Sequence, residues 1–146
     1  NGEHLGKRAV YIDESVNVTI QDCEFATEVY AFNTNIATAG NGVLTVSGSN
    51  IDGWASWSGL KSASFTNCSF AKSGNYEGCR PYDPTTWTNC TFSKGYKIGC
   101  GEDGIAYKFV NCTQNGADVT ESIVTGTDAS GMTQEPEKGK PVITIQ

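Results

Sequence analysis

Three carboxylates in two short, turn-like segments are the residues of this chain best suited to hold a metal ion. They are Asp83, Glu102 and Asp103. Hard oxygen ligands of this kind bind calcium, and stacking of the two segments would bring the three side chains to one corner. The alternative is a solvated acidic turn that Arg80 or Lys97 partly neutralises. Calcium is the only cofactor that the sequence suggests.

Five aromatic residues form a second candidate site. They are Trp54, Trp57, Tyr76, Tyr82 and Tyr96. Flat rings that face solvent offer an apolar surface on which sugar rings can stack. The outward-facing members of this set would therefore form a glycan-binding surface. Filling of a core explains such rings equally well, and only the fold separates the two interpretations.

The overall composition excludes some classes of partner and favours β structure. The 146 residues carry a formal net charge of −6, with ten Lys and Arg in total. Nucleic acid is not expected as a partner, because no basic stripe could neutralise a phosphate backbone. No apolar run is long enough to cross a bilayer, so membrane insertion is not expected. Abundant Gly and scarce Leu favour short strands joined by turns.

One eight-residue motif occurs five times without gaps. The copies begin at Val18, Leu44, Ala63, Thr85 and Tyr107. Its third position and most of its last positions are apolar, with polar residues between, as in a strand that buries one face. Its fifth position holds Asp, Gly or Asn, the residue types that tolerate left-handed backbone. Each copy is therefore predicted to be a short strand, a sharp corner and a second short strand.

The recurrence of this motif predicts coils that stack at the spacing of neighbouring β-strands. The motif, V-T-I-x-N-C-x-F, resembles the coils of right-handed parallel β-helix proteins, the pectate-lyase-like superfamily, over residues 9–114. The resemblance implies an all-β fold, a right-handed parallel β-helix (solenoid) of about five coils within residues 1–114. An immunoglobulin-like sandwich is the alternative, but its strands have no reason to share one motif.

The same resemblance implies which chemistry to look for. Pectate lyases of this fold bind calcium through clustered acidic residues and use a nearby Arg or Lys as the base, and related hydrolases use paired aspartates. This chain has only two arginines, Arg8 and Arg80, and lacks the compact Asp-Asp or Asp-x-Arg motifs of those enzymes. No catalytic residue is therefore assigned, and binding is favoured over catalysis.

Six cysteines raise the question of disulfide bridges. Cys68, Cys90 and Cys112 occupy the same position of the motif, so we expect them to stack in one interior column. Side chains stacked in parallel register rarely offer the torsion that a disulfide needs, which favours free, buried thiols. A Cys79–Cys100 or Cys68–Cys90 bridge is the alternative. Metal binding by cysteine is disfavoured, because no CxxC pair occurs.

The two ends of the chain differ from the repeated middle. Residues 115–146 are predicted to form a C-terminal cap or linker, with a last strand at 141–146. A solenoid exposes unpaired strand edges at its ends, and fewer than ten residues precede the first predicted coil. We therefore expect the natural protein to continue upstream, with other domains, or its first coil to be covered by another chain.

These observations favour a non-catalytic β-helix module of a bacterial secreted or cell-surface protein. Such a module would be a rigid, adhesin-like surface that binds glycan or a host or cell-surface protein. The alternative is a polysaccharide lyase or glycoside hydrolase of the pectate-lyase-like superfamily. An ice-binding solenoid is a third hypothesis, for which Thr19, Thr45 and Thr86 supply only part of the required ladder.

Overall fold

The computed structural model describes residues 8–34, 36, 40–72, 78–99, 103–125 and 140–146. These residues form an all-β solenoid of about four turns. The strands are β1 (Arg8–Ile12), β2 (Val18–Gln21), β3 (Glu24–Thr34), β4 (Val43–Ser47), β5 (Asn50–Trp57), β6 (Ser62–Thr66), β7 (Ser69–Ala71), β8 (Gly78–Pro81), β9 (Thr85–Thr88), β10 (Thr91–Phe92), β11 (Lys97–Gly99), β12 (Ala106–Val110), β13 (Thr113–Gln114), β14 (Ala117–Asp118), β15 (Val124–Thr125) and β16 (Val142–Ile145). One 3-10 turn, Glu121–Ile123, is the only helical element within these ranges.

Three walls enclose the interior of the solenoid. Wall 1 is the six-stranded parallel sheet β2-β4-β6-β9-β12-β16. Walls 2 and 3 belong to one ten-stranded sheet, because the long strands β3 and β5 run through both. The first residues of β3 and β5 join β7, β10 and β13 in wall 2, and their later residues join β1, β8, β11 and β15 in wall 3. Strand β14 pairs antiparallel with β13 at the end of wall 2.

The parallel β-helix architecture predicted from the repeat is confirmed, but the number of coils is corrected from about five to about four. Each copy of the motif contains one strand of wall 1, and one turn of the solenoid runs from one such strand to the next. Five copies therefore correspond to four complete turns. The predicted last strand is present as β16, which pairs in parallel with β12 and places Ile145 opposite Phe109. The linker predicted before this strand falls largely on residues 126–139, outside the described residues.

The corners between walls 1 and 2 depend on left-handed backbone at the fifth position of the motif. Backbone φ lies between 51° and 58° at Asp22, Gly48, Asn67, Asn89 and Asn111. The three Asn side chains also bond along the stack. Asn89 Nδ2 donates to Asn67 Oδ1 at 3.3 Å, and Asn111 Nδ2 donates to Asn89 Oδ1 at 2.8 Å. Asn therefore both tolerates the turn and links each corner to the next.

The interior consists of side-chain columns that run along the solenoid axis. In the column contributed by wall 1, the rings of Trp87 and Phe109 stack with centroids 4.8 Å apart and planes 6° apart, and Phe65 stacks on the other face of Trp87 at 6.2 Å. In the wall 2 column, the rings of Phe70 and Phe92 stack at 5.0 Å. All five rings are almost completely buried, and each contributes about 1.5–3 kcal/mol of hydrophobic stabilisation relative to an exposed side chain.

Replacement of Asn89, the central corner residue, tests whether the left-handed backbone explains why Asn occurs at the corners. Asn89→Ala should lower the free energy of unfolding by about 1–2 kcal/mol, because Ala pays the cost of left-handed backbone that Asn tolerates. Asn89→Gly is the matched control. It also removes the two side-chain hydrogen bonds of Asn89, but glycine adopts this backbone conformation without strain. Chemical denaturation would measure both variants, and an Ala variant as stable as the Gly variant would contradict this explanation of the corner.

Candidate functional site

Aromatic side chains outside the core collect on the outer face of wall 3. Strand alternation sets the direction of Trp54 and Arg80, because their neighbours Ala55 and Cys79 are fully buried in the interior. The outward residues include four aromatic residues and one arginine, which we call the wall 3 patch. They are Tyr11, Tyr30, Trp54, Arg80 and Tyr82.

Parallel register brings the members of the patch from successive coils together. Tyr11 pairs with Asn33, Asn33 with Ser56, and Ser56 with Arg80, so these four residues form one outward column. Tyr30 pairs with Trp54 beside this column. Neighbouring residues of one column lie about 4.8 Å apart. The patch therefore crosses several coils along the solenoid axis.

Two glycines allow the backbone to form this surface. Gly53 has a φ of 135° at the corner where β5 passes from wall 2 to wall 3, a conformation that L side chains rarely adopt. Gly78, the first residue of β8, lies against the backbone carbonyl of Lys97 in the next coil, where a Cβ atom would collide with that oxygen. Gly53 thus permits the corner that precedes Trp54, and Gly78 permits the close contact between β8, which carries Arg80, and the next coil.

Arg80 is the polar centre of the patch. Its guanidinium carbon lies 5.8 Å from the centroid of the Trp54 ring and 5.3 Å from that of the Tyr82 ring. Cations at these distances are attracted to the ring faces, so the two aromatic side chains and Arg80 hold one another in place. Trp54 is a buried hydrophobic side chain, only 2% exposed, that does not belong to the main core cluster, whereas Tyr82 and Arg80 remain partly exposed.

The structure divides the five aromatic residues singled out in the sequence. Tyr82 is partly exposed in the wall 3 patch, its neighbour Trp54 is buried there at 2% exposure, and Tyr76 lies outside the described residues. Trp57 and Tyr96 are buried core side chains, contrary to an outward orientation. Trp57 points inward because it follows the inward Ala55 by two residues on β5, and its indole Nε1 donates to Thr85 Oγ1 at 3.0 Å. Tyr96 packs against the Phe70 and Phe92 rings.

Sequence reasoning missed three members of the patch, namely Tyr11, Tyr30 and Arg80. A signal for Arg80 existed, because it adjoins Cys79, a residue of a type that is usually buried, and alternation therefore sends Arg80 outward. No comparable signal existed for Tyr30. Its pairing with Trp54 follows an irregularity in the β3–β5 register, which interrupts the strand alternation.

Two of the acidic residues singled out in the sequence, Asp83 and Asp103, accept hydrogen bonds from backbone N–H groups in different parts of the fold. The two carboxylate oxygens of Asp83 accept hydrogen bonds from the backbone N–H groups of Gly59 and Leu60 at 3.2 and 3.1 Å. Asp103 Oδ1 accepts a hydrogen bond from the Lys140 N–H at 2.8 Å. Within the described ranges, no three potential metal-ligating side chains are grouped. Glu102 lies outside those ranges, so the three-residue calcium site stays a prediction.

The prediction of free thiols is confirmed for the described cysteines. Cys68, Cys79, Cys90 and Cys112 are buried and free, and Cys23 is exposed and free. Cys68 is thus not bridged to Cys90, and the proposed partner of Cys79, Cys100, lies outside the described residues. Burial raises the pKa of the Cys79 thiol to about 12.

The three stacked thiols influence one another. Hydrogen bonding to Cys90 lowers the pKa of Cys68 and of Cys112 to about 7, and its position between these two neighbours raises the pKa of Cys90 itself. Cys90 has a single S–H, so it can donate to only one neighbouring thiolate at a time. Cys90 can therefore lower the pKa of only one of its two neighbours at a time.

Comparisons of the chain with protein-family models, curated proteins and solved structures give no match. In the described ranges, no helix has the length and apolar character needed to span a membrane.

Alkylation rates of individual thiols test the described cysteine environments. Native protein treated with iodoacetamide at mildly alkaline pH should be modified first at the exposed Cys23. Cys79 should stay unmodified until unfolding, because it is fully buried and its pKa is about 12. The pH dependence of the rate at Cys112 should be centred below the ordinary thiol pKa of 9.0, because hydrogen bonding to Cys90 lowers the pKa of Cys112. Peptide mass spectrometry would follow each site, and equal rates at Cys79 and Cys23 would contradict this assignment.

Proposed function

We propose that this chain is a non-catalytic binding module that recognises glycans through the wall 3 patch. The observation that carries the proposal is the position of Arg80 against the rings of Trp54 and Tyr82 on an outer face. We further propose that the module belongs to a secreted or cell-surface protein of bacterial origin, related to the pectate-lyase-like superfamily. In that setting it is a rigid, adhesin-like surface.

The chemistry of the patch matches the two kinds of surface that a sugar ring presents. The partly exposed ring of Tyr82 and the exposed ring of Tyr11 offer flat apolar faces to the C–H face of a sugar. Arg80 provides hydrogen-bond donors, and the Ser56 hydroxyl provides both a donor and an acceptor, for hydroxyl groups. A small number of polar groups among aromatic ones is typical of ligand sites.

The location of the patch also supports the proposal. Among the described residues, every aromatic residue outside the core lies on wall 3. The outer face of wall 1 instead presents residues such as Thr45, Ser64 and Thr86, and that of wall 2 presents Asn50 and Ser69. The confinement of these rings to one outer face favours a specific binding surface over random exposure of rings.

Rigid presentation reduces the entropy lost on binding. Each strand of the patch is paired on one or both sides with a parallel neighbour, and Arg80 is held against two rings. Side chains that are ordered before a ligand arrives lose less conformational entropy when it binds. The negative net charge of the chain makes neutral glycans better ligands than strongly acidic ones, because like charges repel.

Removal of the most accessible ring beside Arg80 tests glycan binding. Tyr82→Ala should weaken binding to the recognised glycan by about tenfold or more, because a stacking surface worth about 1.4 kcal/mol or more is lost. A glycan array would identify the ligand, and calorimetric titration would measure the affinity. Thr86→Ala, on the outer face of wall 1, is the matched control and should bind like the unchanged chain.

Two outcomes would count against the proposal. Equal glycan affinity of Tyr82→Ala and the unchanged chain would show that the wall 3 patch is not the binding surface. Turnover of pectin or alginate that Asp83→Asn abolishes in a folded protein would instead support the alternative, a polysaccharide lyase or glycoside hydrolase. Folding must be checked in that variant, because Asp83 binds the backbone of Gly59 and Leu60.

A further inference from the structure

Exposed apolar side chains mark both ends of the solenoid. Among the described residues, the large hydrophobic side chains with the greatest exposure are Tyr11 (37%), Val16 (51%), Val142 (59%) and Ile145 (42%). Val16 lies just before β2, and Val142 and Ile145 lie in β16. Strands β2 and β16 are the two outermost strands of wall 1. An edge strand with apolar side chains is a template for pairing with another strand.

We propose that these two ends bind each other, so that copies of this chain stack head to tail through wall 1. Strand β16 of one copy would pair in parallel with β2 of the next copy. This contact would continue the same sheet from one molecule into the other. It does not depend on the wall 3 patch or on any glycan.

The register of wall 1 specifies which residues would meet. Val18 and Ile143 are the two ends of one inward column, because each successive strand pairs in register with the next. Ile20 and Ile145 are likewise the ends of the column that contains Trp87. Stacking would place Ile145 over Ile20 and Ile143 over Val18 of the next copy. The inward columns would then continue from one copy into the next, with Ile145, 42% exposed, over Ile20, which is 8% exposed in one copy.

The backbone of β16 has groups available for this pairing. The N–H groups of Val142 and Gln146 donate to carbonyls of Ile105 and Phe109, at 2.8 and 2.9 Å. Backbone groups of alternate residues point to opposite sides of a parallel strand. Those of Ile143 and Ile145 therefore point toward the open edge, where a second strand would pair.

Charge favours the head-to-tail arrangement over a symmetric one. Extension of the register by one coil places Lys140 over Ser15 of the next copy, beside Glu14. Lys140 and Glu14 are both exposed, so opposite charges would meet across the junction. Rim charges of this kind mainly set orientation. A contact between two tails would instead bring two copies of Lys140 to the same junction.

A head-to-tail contact between different surfaces produces open assemblies. Each added copy presents a new free end, so oligomers grow without a fixed size. Strand β14 ends wall 2 in an antiparallel orientation, whereas walls 1 and 3 end in the parallel strands β16 and β15. The expected behaviour is association that increases steadily with concentration.

Sedimentation velocity on the full chain, from micromolar to millimolar concentration, tests the proposal. The weight-average mass should rise steadily with concentration. Ile145→Lys should weaken association at least about tenfold, because it places a charge in the apolar junction. Thr86→Lys, on a central strand, is the control and should associate normally. Far-ultraviolet circular dichroism would verify that both variants are folded.

A charge exchange identifies the direction of stacking. Lys140→Glu and Glu14→Lys should each weaken association, and the double variant should restore it. A chain that stays monomeric at every concentration would overturn the proposal. A dimer of fixed size that the double exchange does not restore would also overturn it, because such a dimer would be symmetric.

Discussion

Every coil of this protein must place its side chains directly over those of the preceding coil, at the spacing of neighbouring strands, about 4.8 Å. This constraint explains the aromatic stack of Phe65, Trp87 and Phe109, because flat rings are the bulky side chains that repeat at that spacing with parallel planes. It also explains the corners, since one residue that fails to turn would misplace the whole following strand. The repeated motif is therefore a structural one.

The outer faces are free of this constraint, and there the walls differ. Wall 1 repeats small polar residues, whereas wall 3 carries Arg80 between aromatic side chains from successive coils. Wall 3 is also where the sequence repeats least well, because the loops that lead into it vary in length. The proposed binding surface thus consists of outward side chains whose types are not fixed by packing in the core. The stacking of coils that orders the core also keeps this surface rigid.

The sequence predicts the repeated part of the fold well and the site only in part. The corners at Asn67 and Asn89, and the free thiols stacked behind them, follow from the motif because each copy has the same environment. The sequence left the direction of Trp57 open between core and surface, because it depends on where Gly53 turns β5 into wall 3. The role of Asp83 could not be predicted either, because its partners, Gly59 and Leu60, belong to the preceding coil.

Stacking of successive coils in register is the central claim, and nuclear Overhauser effects between aromatic rings test it most directly. Trp87 should show contacts to both Phe65 and Phe109, which lie one coil away on either side, with ring centroids 6.2 and 4.8 Å from that of Trp87. Selective labelling of Trp and Phe would resolve these signals. A Trp87 ring with contacts to neither residue would contradict a stacked solenoid.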